Sequence, residues 1–207
     1  MKRTVVFGSF VLFLMLQTGC NSDQSTGEKT ETNSAGAEKK LNYNNDLSRY
    51  PATPGFAGVF DVPEMLSISI MDSAAMKDVS DKVKQNYTLL AKDMEAVGAI
   101  TDGPPVQISY NNDPENFKFE CLVLIKDLPE KTPEHSKIVV LEASKMVLFN
   151  YYGPYQDIYT AYDQIRIKMD SLKQKQSGAV REFYVTEPSL EPDEKKWLTR
   201  IFVPVSG

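Results

Sequence analysis

The chain holds one histidine, His135, and two cysteines, Cys20 and Cys121. A zinc site built from Cys and His needs about four such ligands, and this chain cannot supply them. A disulfide framework is excluded as well, because the pattern around Cys20 gives that residue another fate. No block of Lys and Arg occurs: 23 basic residues stand against 28 acidic ones, for a net charge of −5. That balance argues against nucleic acid as a partner. No apolar run reaches the roughly 20 residues of a membrane-spanning helix. His135 lies in the polar stretch Pro133-Glu134-His135-Ser136, and no Ser or Cys in a nucleophile-type setting accompanies it, so a catalytic triad is not supported. The acids Glu187, Glu191, Asp193 and Glu194 lack EF-hand spacing and read as a solvated loop. No metal and no cofactor are therefore expected.

What is present begins with an address. Met1-Lys2-Arg3 is basic, Val5 to Leu16 is apolar throughout, and Gly19-Cys20 is followed by a polar run. This is the layout of a secretory signal. Thr18-Gly19-Cys20 resembles a bacterial lipoprotein signal, although Gln17 stands where that pattern usually has Leu. The resemblance implies loss of residues 1–19 and a lipid on Cys20, with the protein exported and anchored on the periplasmic or cell-surface side of a membrane. Each buried acyl CH₂ stabilises such attachment by roughly 0.8 kcal/mol. An ordinary secretory signal with a free Cys near the cut is the alternative. Residues 20–55 read as a tether. Asn21 to Tyr50 is rich in Ser, Thr, Gly, Asn, Lys and Glu and has no apolar periodicity. About 30 such residues reach roughly 30 Å as a coil. Pro51-Ala52-Thr53-Pro54-Gly55 marks the boundary of a domain at 56–207.

Within that domain the apolar pattern alternates between two periods. Phe56 to Asp61 and Met65 to Asp72 read as strands, with Leu66, Ile68 and Ile70 on one face of the second. Met76, Val79, Val83, Tyr87, Leu90, Met94 and Val97 then recur at helical steps, and Gly98 is placed to cap the helix. Thr101 to Pro105 reads as a loop, Val106 to Tyr110 as a strand and Phe117 to Lys126 as a longer one. A Pro-rich linker covers Leu128 to Lys137. Strands follow at Ile138–Leu141 and Met146–Tyr152, and Tyr152-Gly153-Pro154-Tyr155 makes a corner. Tyr155, Ile158, Tyr162, Ile165, Met169 and Leu172 form a second helical stripe, which Gly178 is expected to end. Val180–Thr186 and Trp197–Val205 are the last strands.

The two halves repeat. Tyr87, Leu90 and Met94 recur as Tyr162, Ile165 and Met169 at a spacing of 75, and Tyr110 and Pro114 recur as Tyr184 and Pro188 at 74. An internal repeat is firmer ground than any single element. The expected fold class is α+β: tandem strand–helix–strand–strand modules, 56–127 and 137–205, related by pseudo-twofold symmetry. The sheet is mostly antiparallel, with both helices packed on one face.

The second half resembles the GyrI-like, or effector-binding, domain. The residues that carry the resemblance are the Tyr152-Gly153-Pro154-Tyr155 corner, the Tyr162 helix, Glu182 and Tyr184 with Glu187-Pro188, and Trp197, Thr199 and Ile201 leading to Pro204-Val205. The first half matches more loosely, through Tyr110 and Asn112-Asp113-Pro114-Glu115. The resemblance implies a groove on the sheet face away from the helices, where aromatics and a carboxylate bind a lipophilic, often cationic, small molecule. No helix-turn-helix segment accompanies the domain, so a transcriptional role is not expected to carry over. Glu182 is the sharpest candidate. It shares a strand face with Tyr184, opposite Arg181, Phe183 and Val185. If Phe183 and Val185 face the helices, Glu182 and Tyr184 face the groove; otherwise Glu182 is a strand carboxylate in solvent. Tyr110, Tyr151, Tyr152, Trp197 and Phe119 are the further candidate walls, each also readable as plain core or as a cross-strand pair. Tyr87, Tyr162 and Cys121 read as core. Three functions remain open: a membrane-tethered small-molecule binder, a hydrolase using Glu182 as general base and Tyr184 as donor, and a protein-interaction module.

Overall fold

The structure is a computed structural model that describes residues 43–206. The expected signal at 1–19, Cys20 and the tether as far as residue 42 lie outside the described residues. The described chain runs β1 (Gly55–Val62), β2 (Met65–Ala74), α1 (Val79–Val97), β3 (Thr101–Ser109), β4 (Phe117–Ile125), β5 (Lys137–Leu141), β6 (Ser144–Tyr152), α2 (Tyr159–Ser171), β7 (Lys175–Gln176), β8 (Val180–Tyr184) and β9 (Leu198–Ser206). Eight strands form one antiparallel sheet in the order β1-β6-β9-β8-β3-β4-β2-β5, and the short β7 adds to β9. The α+β class is as expected.

Both helices lie on one side of the sheet. α1 rests its Val79, Val83, Tyr87, Leu90 and Met94 stripe on β2 and β4, against Leu66, Ile68, Phe119 and Cys121. Gly98 ends it at φ 71°, a left-handed value that glycine adopts without steric cost. α2 lays Ala161, Ile165 and Met169 over β6 and β1. It stops at Ser171, well short of Gly178, because Lys173 takes the left-handed turn at φ 55° and β7 occupies the residues between. The loop expected at 101–105 is instead the start of β3. Its pairing with β4 is interrupted between Thr101 and Pro105, where the two prolines cannot donate to the ladder.

The sheet order is palindromic: β6-β9-β8 of the second module meets β3-β4-β2 of the first, with β1 and β5 each added to the other module's edge. The pseudo-twofold axis passes between β8 and β3. Gln107 opposes Glu182 there, and Ile108 opposes Arg181. A twofold that keeps both helices on one face passes through one directly opposed pair, and at the helix spacing of 75 that pair is Gln107 and Glu182. Gln107 therefore corresponds to Glu182, and the helix spacing of 75 continues through these strands. This corrects the pairing of Tyr110 with Tyr184: a spacing of 74 would send the two tyrosines to opposite faces.

The sheet is curled. Pro63-Glu64 joins β1 to β2, and Glu142-Ala143 joins β5 to β6, yet each join spans six strand positions. Six steps of a flat sheet cover about 29 Å at roughly 4.8 Å each, whereas a two-residue link spans at most about 11 Å. The ends of the sheet must approach each other. The concave side is filled by Met65, Val106, Ile108, Leu122, Leu124, Met146, Leu148, Phe183 and Phe202. Residues 43–54, expected as tether, close that core. Tyr50 packs edge-on against Phe60 and Phe202, both at 5.3 Å. Arg200 donates through Nη1 to the Leu47 carbonyl and through Nη2 to that of Tyr50 at 3.2 Å. A lone apolar residue in a polar stretch carries no periodicity, which hid this segment in the sequence.

The linker between modules is pinned to α1. The buried Asp93 carboxylate accepts from the His135 and Ser136 backbone N–H groups at 2.8 and 2.7 Å, from Ser136 Oγ at 2.6 Å, and contacts His135 Nδ1 at 3.0 Å.

Candidate functional site

Because α1 covers β2 and β4 while α2 covers β6 and β1, the two central strands β3 and β8 lie between the helices. One lateral row of side chains crosses the helix-facing side there: Ile70, Cys121, Gln107, Glu182, Ile201 and Phe149. Five of the six are apolar, thiol or amide. Glu182 is the exception, at the middle of the sheet and only 6% exposed.

This placement overturns the expected face. Phe183 packs with Phe202 at 5.1 Å in the concave core. Strand alternation then turns Glu182 and Tyr184 toward the helices. The face away from the helices holds no groove at these residues, since its central positions are packed core.

Four tyrosines surround the carboxylate. Tyr162, from α2, donates to Glu182 Oε1, and Tyr184 donates to Oε2 at 2.7 Å. Tyr155, just after the Gly-Pro corner, packs edge-on against Tyr184 at 5.3 Å and tilts against Trp197 at 5.1 Å. Tyr87, from α1, donates to the Val106 carbonyl at 2.8 Å, one residue from Gln107. Burial raises the Tyr87 phenol well above its usual range, with Cys121, Glu182 and Tyr155 adding to it. Among the described residues Glu182 has no cationic partner. Burial pushes its pKa up, and the two phenol hydrogen bonds offset only part of that. Tyr162 and Tyr184 are themselves pushed up, first by burial and then by the adjacent carboxylate. Burial alone moves Tyr155 to about 12.

A buried carboxylate with no counter-charge is a costly feature. Burial without a counter-charge favours its protonated form, and a bound cation would supply the missing charge. The tyrosine rings present faces suited to a lipophilic cation, each worth roughly 0.5–2 kcal/mol. Since phenols already occupy both carboxylate oxygens, an incoming group has to displace at least one of them.

Of the expected wall residues, Glu182, Tyr184 and Trp197 come together, through Tyr155. The others stand apart. Tyr110 lies on the opposite face, 45% exposed, and donates to Glu120 Oε2 at 2.5 Å. Phe119 faces the helices but is buried beneath α1, stacked on Phe117 at 5.8 Å. Tyr151 serves the corner: its hydroxyl donates to the Pro154 carbonyl at 3.0 Å. Tyr152 points to the other face and donates to the Ala52 carbonyl at 2.8 Å. Sequence reasoning assigned Tyr87 and Tyr162 to the core and gave Tyr155 and Gln107 no role in the site. The available signal was the recurrence of a tyrosine, not an aliphatic residue, at the same point of both helical stripes. Among the described residues no group of three or more His, Cys, Asp and Glu is placed to hold a metal.

Comparison with known proteins agrees with this fold. The family model of the GyrI-like small molecule binding domain matches residues 64–206. No curated protein sequence matches the chain. The C-terminal domain of EcmrR superposes with a TM-score of 0.65 at 19% identity, covering 72% of this chain and 96% of that domain. EcmrR in its complex with DNA gives 0.64 at 19% identity over 72% of this chain, but only 56% of the longer EcmrR chain is spanned. SAV2435 bound to tetraphenylphosphonium gives 0.54 at 12% identity, over 73% of this chain and 94% of that one. At these identities the likeness is one of fold. With two thirds of its length matched by the family model, the chain belongs to the GyrI-like small molecule binding domains.

Proposed function

We propose that this protein captures a lipophilic monocation in the cleft between α1 and α2, against Glu182, and does so without catalysis. The observation that carries the proposal is a carboxylate 6% exposed, ringed by tyrosines and without a positive partner among the described residues. Tetraphenylphosphonium, the compound bound by SAV2435, is the natural first probe. On binding, its charge replaces the proton of Glu182, and Tyr162 swings away from Oε1 to admit it. A charge separation of about 5 Å at an effective dielectric of about 20 gives about 3 kcal/mol. That corresponds to roughly a hundredfold in affinity. Isothermal titration calorimetry on the wild type and Glu182→Gln tests this. Binding to the wild type with a loss of that order in the variant is expected; equal affinities would rule out a role for the carboxylate.

We further propose that the domain works at a membrane, held by a lipid on Cys20 and a polar tether ending near residue 42. The basic, apolar and Gly-Cys order at the N-terminus supports this. Partition of the full-length protein into membranes, abolished by Cys20→Ser, is the expected result.

A further inference from the structure

Glu182 has a symmetry counterpart, and that counterpart is neutral. The spacing of 75 that relates Tyr87 to Tyr162 also relates Gln107 to Glu182. The two residues oppose each other directly across β3 and β8 and share the helix-facing side. Opposed side chains in an antiparallel pair start about 4.5–5.5 Å apart at Cβ. A group resting on the Glu182 carboxylate therefore lies within reach of the Gln107 amide. The polar partners of the two differ. Both Glu182 oxygens accept from phenols, whereas the half-buried Gln107 amide has no hydrogen-bond partner among the described residues. Tyr87 stands where Tyr162 stands in the other module, but its hydroxyl goes to the Val106 carbonyl and leaves the amide free. The polar atoms of Gln107 are not among the buried unpartnered ones, so the amide is open to an incoming group.

The geometry points to Gln107 as the residue that sets the charge specificity of the cleft. This deepens the cation-binding reading and rests on it. With a neutral amide on one side of the axis and a carboxylate on the other, the floor carries a single negative charge and selects a monocation over a dication. The free amide, on the same strand face as Glu182, would pair with a polar atom of the ligand.

The test is a charge swap read by calorimetry, with tetraphenylphosphonium as the monocation. Its dication counterpart carries two triphenylphosphonium groups joined by a short alkyl chain. Glu182→Gln loses monocation affinity. Adding Gln107→Glu to it moves the carboxylate across the axis at constant net charge, and is expected to restore affinity to within about tenfold of wild type. Gln107→Glu alone is expected to shift preference toward the dication by about tenfold or more. It should also make stability fall more steeply as pH rises, because two opposed carboxylates share one proton. The inference is overturned if the swap restores nothing while the wild type binds, or if Gln107→Glu leaves the monocation-to-dication ratio unchanged. A wild type that binds neither probe overturns the cation reading itself, and this inference with it. Because the swap carries one carboxylate, it stays informative should the two-carboxylate variant fail to fold.

Discussion

Asp93 holds the inter-module linker to α1, and its contribution can be worked from the structure. The residue is 3% exposed. Burial alone would raise its pKa. The hydrogen bonds from Ser136 and His135, side chain and backbone, outweigh that and hold it at about 2, against 3.8 for the free group. A gap of nearly two units, at 1.36 kcal/mol each, is about 2 kcal/mol of stability. For a depressed carboxyl that stability is present above the unfolded value of 3.8 and is lost as pH falls through about 2. His135 works in the opposite sense. The Asp93 hydrogen bond raises its pKa above 6.5, so its contribution is present below 6.5 and is lost as pH rises through the raised value. Asp93→Asn retains one acceptor oxygen but turns an NH₂ toward the remaining donors. It should cost about 2 kcal/mol at pH 7 and flatten the rise in stability between pH 2 and 4. Urea unfolding followed by the single Trp197 across pH 2–8 measures both. A variant within about 0.5 kcal/mol of wild type at pH 7, or one with an unchanged acid slope, would refute the reasoning.

Three further outcomes follow from the packing. Gly153→Ala should cost about 1–3 kcal/mol in chemical denaturation, because Gly153 sits at φ 152° and a Cβ there would meet Tyr151 Oη at 2.6 Å. Tyr50→Ala should cost about 3–5 kcal/mol and raise hydrogen exchange along β1 and β9, because its ring fills the space between Phe60 and Phe202. Glu182→Gln should stabilise the ligand-free protein at neutral pH. The raised carboxyl pKa means that the native state keeps a proton the unfolded chain has released, so wild-type stability falls as pH climbs past 4.5, and the variant's thermal midpoint should lack that fall.

The element sequence was readable because apolar periods of two and of three to four residues are local properties. The Leu66-Ile68-Ile70 face and the Tyr87-Leu90-Met94 stripe sit as the pattern required. The face of β8 was not readable. Glu182-Phe183-Tyr184 offers an aromatic on either side, and only the curl of the sheet, which buries Phe183 with Phe202, decides between them. The same curl hid Tyr50, whose partners lie 10 and 152 residues away in the chain. Tyr162 was misjudged for a different reason: a helix stripe reads as core, and nothing local shows that its hydroxyl overhangs a carboxylate. Tyr151 and Tyr152 resembled groove walls because they flank the corner, but the corner itself consumes them through Pro154 and Ala52.

The most direct test of the account is calorimetric titration of tetraphenylphosphonium into the wild type and Glu182→Gln between pH 5 and 9, in buffers of different ionisation heat. The account predicts wild-type affinity that strengthens with pH until Glu182 is ionised in the free protein, proton release on binding below that point, and roughly a hundredfold weaker, pH-independent binding by the variant. Affinity that is the same in both proteins, or binding without proton release at any pH, would contradict it.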